Sequence, residues 1–324
     1  MSDNLNPITT ELGQKTFHIY EDFYRELYEA VYFFYRIYSG VYDKLPLQLN
    51  YDKKMGLSET IYNAIIRILV VNNMIDYDKN SYVFTNENMM KHKHILENNI
   101  FKPGQVKHYE EMYNKALNEL HFFFDSISDL EYEIYSRCNF HVTYEFGKKA
   151  VKHLDLRNKK ILELGGNSGG LGTAILAKNS GCAYTVVDTE IPCMIGNEFK
   201  ELYETNITFI EGNVFELMLS DNIYDYIIIM NLLHDFDDEK CLKILNNSSR
   251  YCNASTKFIV IEDIRHSEFE PHEVIMHGLR LSVECSGGRQ RTINEIERLF
   301  INVNYKLEKV VKIDNIFTML VLGA

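Results

Sequence analysis

Two regimes of hydrophobic patterning divide the chain near residue 155. Before it, apolar and aromatic positions recur at three- and four-residue spacing, the period of helices with one buried face. Phe17, Tyr20, Phe23, Tyr24, Leu27, Tyr28, Val31 and Phe34 form the broadest such stripe. A stripe this wide and aromatic predicts a helix covered by something large, a second domain or another subunit. SETIYNAIIRILVVN, Ser58 to Asn72, predicts a second helix opened by Ser58 and ended at Asn72-Asn73. Two short extended pieces around Asp78-Lys79-Asn80 then predict a hairpin, the wing of a winged helix.

After residue 155 strands and helices alternate. KKILELGG, AYTVVD, ITFIEGNVF, YDYIIIMNLLHD and KFIVIEDI contain short continuous apolar runs; LGTAILAKN and DDEKCLKILNNSSRYC read as helices. Strands that are apolar throughout, each followed by a helix, predict a mainly parallel, doubly wound sheet covered on both faces. The expected fold class is therefore α/β and Rossmann-like, preceded by a mostly helical winged-helix-like domain. The expected boundaries are 1–105 for the helical domain, 106–155 for a helical connection and 156–324 for the sheet domain.

Composition narrows the function. The 324 residues are 46% hydrophobic and 25% charged, which excludes wholesale disorder. Lys and Arg number 34 against 46 Asp and Glu, a net charge of −12. That balance argues against nucleic acid as a partner, since phosphate binding needs a basic face. No apolar run reaches bilayer length, and no secretory signal is visible in MSDNLNPITTELGQK. With six scattered cysteines and no CxxC pair, the expected setting is a reducing cytoplasm.

The candidate chemistry lies at the ends of the strands. ILELGGNSGGLG, Ile161 to Gly172, is a strand, a glycine turn and a helix, without the GK[ST] of a nucleotide-triphosphate loop. Glu163 on the strand and Asp188 at the end of the next suit a ligand with a ribose diol and a cationic centre; NAD and S-adenosylmethionine both fit that description. After the third strand, Asn213 can pair with an adenine edge and Phe215 can cover the ring, although the same residues make an ordinary turn. His234 falls after the fourth strand, where doubly wound folds place their chemistry and where a histidine can take a proton. Asp235 or Asp237 caps the following helix, and Glu262 at the end of the fifth strand reaches the same edge to orient the imidazole.

These motifs resemble the S-adenosylmethionine-dependent O-methyltransferases of the plant caffeate and acetylserotonin type and their bacterial natural-product relatives. Glu163 through Gly169 resembles the family's DVGGGxG, Asp188 through Pro192 its aspartate-leucine-proline stretch, and Gly212-Asn213-Val214-Phe215 its GDMF. Leu233 through Glu239 is similar to LHDWSDE, and Gly287 through Thr292 to GGKERT. In the first half, Gly40-Val41-Tyr42-Asp43 and Tyr82-Val83-Phe84-Thr85 match in kind.

The resemblance implies S-adenosyl-L-methionine as cofactor, S-adenosyl-L-homocysteine as product, a small hydroxylated aromatic acceptor, no metal, and a homodimer joined through the helical domain. It implies that Gly165, Gly166 and Ser168 contact the methionine part of the donor. Asp188 would bind the ribose, and Asn213 and Val214 the adenine. His234 would be the general base with Glu262 as its partner. Asn167 replaces a glycine, which asparagine's tolerance of left-handed backbone permits. Asn213 replaces an aspartate, Phe236 a tryptophan and Gln290 a second glutamate, while Asn231 stands where bacterial members often have arginine. The acceptor pocket is expected between the domains, lined by the N-terminal helices and by Glu273 to Cys285. Candidate substrate contacts are Asp235, Met276, His277, Leu281 and Gln290; Met276, Leu279 and Val283 serve equally as plain core. Two other functions stay open: a keto-acid C-methyltransferase with a metal on His277, His234 and Glu262, and a donor-binding scaffold without catalysis.

Overall fold

The computed structural model describes residues 19–42, 44–78, 80–100, 105–117, 127–220, 223–265, 278–285, 287–314 and 316–324. They fall into two units. One, mostly helical, has its described residues within 19–117 and 265–292; the other holds 127–264 and 293–324. This partition differs from the expected boundaries in two places. The expected connection is divided between the units, and the stretch from Arg265 to Thr292 leaves the sheet for the helical unit.

The helical unit opens with α1 (Ile19–Tyr38). Phe17 and the side chains of Tyr20, Phe23 and Tyr24 lie outside the described residues, but Leu27, Val31 and Phe34 of the stripe are buried within the unit itself, with Tyr28 partly buried against them. Helix α2 (Glu59–Val71) forms as its sequence demands. Ser58 Oγ accepts the Ile61 amide at 3.3 Å, and the Asn72 side chain donates to the Ile68 carbonyl at 2.8 Å. Strands β2 (Asp76–Asp78) and β3 (Ser81–Phe84) make the expected hairpin, with Asn80 in the left-handed region that such turns require. A third strand, β1 (Leu47–Leu49), pairs with β3. Helices α3 (Asn86–Ile95), α4 (Gln105–Leu117) and α9 (Gly278–Glu284) complete the unit, and Leu279 and Val283 of α9 are buried in its core. They are core side chains, as one of the two sequence readings had it.

Within this core His92 is fully buried between Phe34 and Phe84, with Nε2 3.0 Å from the Met74 carbonyl. Burial depresses its pKa to about 3, so the ring stays neutral in the fold. The unfolded chain then binds more protons below about pH 6.5, and stability falls as the pH drops from there towards the folded value. Between pH 7 and pH 5 the loss should be about 2 kcal/mol. Denaturant titrations at the two pH values test this: His92→Gln should lack that part of the slope, and an unchanged slope would remove His92 as its source.

The second unit is built on a seven-stranded sheet of order β6-β5-β4-β7-β8-β10-β9. Its strands are β4 (Lys160–Leu164), β5 (Ala183–Asp188), β6 (Thr208–Glu211), β7 (Tyr226–Met230), β8 (Lys257–Asp263), β9 (Lys306–Lys312) and β10 (Phe317–Gly323). β4 to β8 pair in parallel, while β10 runs antiparallel to both β8 and β9. The central parallel strands β4, β7 and β8 are buried along nearly their whole length, which is why they read as apolar runs. Helices α5 (Asp129–Ala150), α6 (Gly170–Lys178), α7 (Glu190–Leu202), α8 (Asp238–Ser248) and α10 (Ile293–Ile301) complete the unit. Strand order reverses between β4 and β7, and the carboxyl ends flanking that switch point are where a doubly wound sheet opens a crevice for ligands. No described helix is long and apolar enough to cross a membrane.

Candidate active site

The carboxyl ends of β4 to β8 carry the candidate residues. From β4 the chain turns at Gly165, whose φ of +65° is closed to most side chains and whose amide donates to the Val187 carbonyl at 2.9 Å. At Gly166 the constraint is space: a Cβ there would sit 2.6 Å from the Glu163 carboxyl carbon. Asn167 takes the left-handed conformation expected of it, at φ +48°. Its amide donates to Asp188 Oδ2 at 2.7 Å, and Asp188 Oδ1 accepts the Thr189 amide at 2.7 Å. Asp188 thus fastens the glycine loop to the end of β5. Desolvation pushes its pKa up against these two amides.

Glu163 is buried under the loop. Its Oε2 accepts the Tyr184 hydroxyl at 3.0 Å, and burial raises its pKa to about 8, with the Asp188 charge adding to the rise. Ser168 is buried, and its hydroxyl donates to the Ser136 carbonyl at 2.8 Å, which ties the loop to α5. After β6, Asn213 Oδ1 accepts the Phe215 amide at 2.9 Å to cap a short turn containing Val214. Phe215 packs edge-on against Phe236 with ring centres 4.9 Å apart.

β7 delivers the histidine. Asn231 has φ +49°, and its side-chain oxygen is buried with no hydrogen-bond partner among the described residues. His234 follows in a short turn, with Nδ1 2.7 Å from Glu262 Oε2 and 3.2 Å from Asp263 Oδ1. The ring N–H is aligned with Asp263, so the closer approach of Glu262 acts as a charge contact. Glu262 Oε1 is held in place by the Leu232 and Leu233 amides at 3.2 and 3.0 Å. Nε2 lies 3.5 Å from Asp235 Oδ1. Asp237, not Asp235, caps α8 by accepting the Lys240 amide at 2.8 Å.

Desolvation alone would lower the imidazole pKa, but the Glu262 and Asp235 charges and the contacts with Asp263 and Glu262 outweigh it and hold the pKa well above the usual value. The surrounding acids thus favour the protonated ring in the free state. The atoms of His234, Glu262 and Asp263 that face one another lie within 4.8 Å, as in a metal-binding group.

Four of the expected substrate contacts are not among the described residues of this unit. Met276 and His277 are outside the described residues; Leu281, half-buried, and Gln290, buried, belong to the helical unit. Two contributors were not foreseen. Asp263 was signalled only as the second acid of IVIEDI. Tyr132 on α5 sets its hydroxyl 2.9 Å from Thr189 Oγ1 beside Asp188, and burial with the Asp188 charge raises its pKa.

Residues 93–306 match a family model described as O-methyltransferase domain. Among curated proteins, O-methyltransferase 7 of Dictyostelium discoideum is 24% identical over 212 residues, 61% of this chain and 58% of that protein. Acetylserotonin O-methyltransferase of Bos taurus is 30% identical over 141 residues, 43% of this chain and 40% of that protein. The chain spans about half the length of the curated relatives it matches. Among solved structures, an O-methyltransferase family 2 protein from Planctomyces limnophilus in complex with apigenin aligns with TM-score 0.75 at 14% identity, over 93% of this chain and 94% of that one. Human N-acetylserotonin methyltransferase in complex with SAM aligns with TM-score 0.59 at 16% identity, over 100% and 99%. At these identities the structural likeness bears on the fold.

Proposed function

The chain belongs to the O-methyltransferase domain family, and from that membership and the site we propose that it methylates a hydroxyl of a small aromatic acceptor with S-adenosylmethionine as donor. One observation carries this reading. At a single sheet edge, a glycine loop over two acids meets a histidine held by a carboxylate pair. The residues fit such a donor: the loop leaves no room for a Cβ at Gly166, and among the described residues no basic side chain pairs with Glu163 or Asp188.

When bound, the donor supplies a methyl group already activated on a sulfonium. The residues then have to align the acceptor oxygen and accept its proton. Gly165 and Gly166 would hold the methionine part, Asp188 the ribose diol, and Asn213, Val214 and Phe215 the adenine. Ser168 would act through the loop it fastens, and the buried Asn231 oxygen offers an acceptor at the same edge. His234 Nδ1, anchored on Asp263 and Glu262, leaves Nε2 as the atom that takes the acceptor's proton. The same acids stabilise the imidazolium that results.

The homodimer and the cytoplasmic setting belong to this reading. The first rests on the resemblance, since the described part of the aromatic stripe is already covered within its own unit; light scattering tests it. The second is supported by six free thiols. The activity test is transfer of labelled methyl to phenols, hydroxylated amino acids, indoles and keto acids. Labelled phenolic or indolic hydroxyls are the expected product. Tight NAD binding with no response to S-adenosylmethionine would overturn the reading. Metal-dependent labelling of keto acids, or donor binding without transfer, would replace it by one of the two other functions.

A further inference from the structure

Glu163 takes no part in the proton transfer above, yet its surroundings are unusual for a carboxyl group. It is 2% exposed and sits inside β4, opposite Val186 on β5 and Ile228 on β7. β5 contributes the two titratable groups that bear on it: the Tyr184 hydroxyl, which donates to Oε2, and Asp188, whose negative charge opposes ionisation. β7 presents an apolar residue at the register position, and the loop presents Gly166 in direct contact. Among the described residues, no lysine, arginine or histidine forms an ion pair or hydrogen bond with Glu163. An ionised carboxylate here would face a second acid with no balancing cation, and a buried group in that position keeps its proton.

We propose that Glu163 is a charge-selective proton gate for the loop: its carboxyl group is protonated when the loop is empty and releases that proton to solvent when a cationic ligand occupies it. The inference rests on the donor reading of the loop and extends it to the difference between donor and product. S-adenosylmethionine carries a sulfonium charge that S-adenosylhomocysteine lacks. Both ligands keep an α-ammonium and an α-carboxylate whose charges offset each other, so only the donor brings a net positive charge to the loop. Below about pH 8, the value to which burial raises Glu163, donor affinity falls by up to about tenfold per pH unit and product affinity holds. Acidification thus turns the site from donor-selective to product-inhibited.

Calorimetric titration in buffers of different ionisation enthalpy measures the protons released. At pH 7 the wild type should release close to one proton per S-adenosylmethionine bound and far less with S-adenosylhomocysteine. Glu163→Gln, which keeps the shape and cannot ionise, should release none and bind the donor with an affinity that is flat from pH 6.5 to 8.5. Equal release with both ligands, or unchanged release in Glu163→Gln, overturns the proposal. A second measurement needs no ligand. The infrared difference between wild type and Glu163→Gln in the free protein at pH 7 should contain a protonated-carboxyl band, and a carboxylate band instead overturns the gate. If that band is present but S-adenosylmethionine does not bind at any pH, the donor reading fails and takes the gate's function with it.

Discussion

His234→Ala should lower turnover by roughly 10²-fold or more while leaving donor affinity nearly intact, because the proposed role of the histidine is toward the acceptor rather than the donor. Glu262→Gln should cost less. An amide oxygen can still accept the Leu232 and Leu233 amides, so the turn survives while the charge beside Nδ1 is lost. The pH profile adds a signature that simple damage would not. Because the surrounding acids raise the imidazole pKa, the ring must lose a proton before it can take one, and the acid limb should lie above the ordinary histidine range. Removing a negative neighbour weakens that hold, so Asp263→Asn and Glu262→Gln should each move the limb to lower pH, and His234→Ala should abolish it. If His234→Ala keeps most of its turnover, the acceptor ionises without a base. If it loses donor binding instead, the histidine is structural.

Asp188→Ala should be the most damaging change to donor binding. Loss of charge-assisted bonds to the ribose accounts for about 1–3 kcal/mol. The structure adds a second cost, because the same carboxylate accepts the Asn167 and Thr189 amides. Without it both amides lose their acceptor, and the glycine loop loses its tie to β5. Calorimetry should therefore show weaker S-adenosylmethionine binding, and differential scanning should show a lower melting temperature even without ligand. Asp188→Asn, which keeps an acceptor oxygen, should recover most of the melting temperature and less of the affinity. Equal melting of Asp188→Ala and wild type would confine the residue to ligand contact.

The sequence made some of this architecture plain and hid the rest for physical reasons. β4, β5, β7 and β8 are enclosed on both faces, so almost every position must be apolar and the runs stand out. β9, with most of its residues exposed, reads as KLEKVVK and carries no such signal. β1 has three residues, too few for a period to show. His234 and Glu262 were legible because strand ends in an α/β pattern have a known destination. Asp263 was not, since alternation along a strand would send neighbours to opposite faces, and only the end of β8 lets both acids reach Nδ1. Tyr132 was invisible for another reason: nothing local to α5 says which strand end the helix will cross.

The threading of the chain through its two units also sets an order of events during synthesis. The helical core includes Leu279 and Val283, and β10, which covers the edge of β8, lies at Phe317–Gly323. A nascent chain that has emerged as far as Asp263 therefore holds a helical core without Leu279 and Val283 and a sheet whose β8 edge is bare. Domains that fold one after another on the ribosome can each be finished before the next begins. Here the first unit waits for residues encoded after most of the second, so the two mature together, and a ribosome stalled after β8 presents an unpaired strand to chaperones rather than a finished half.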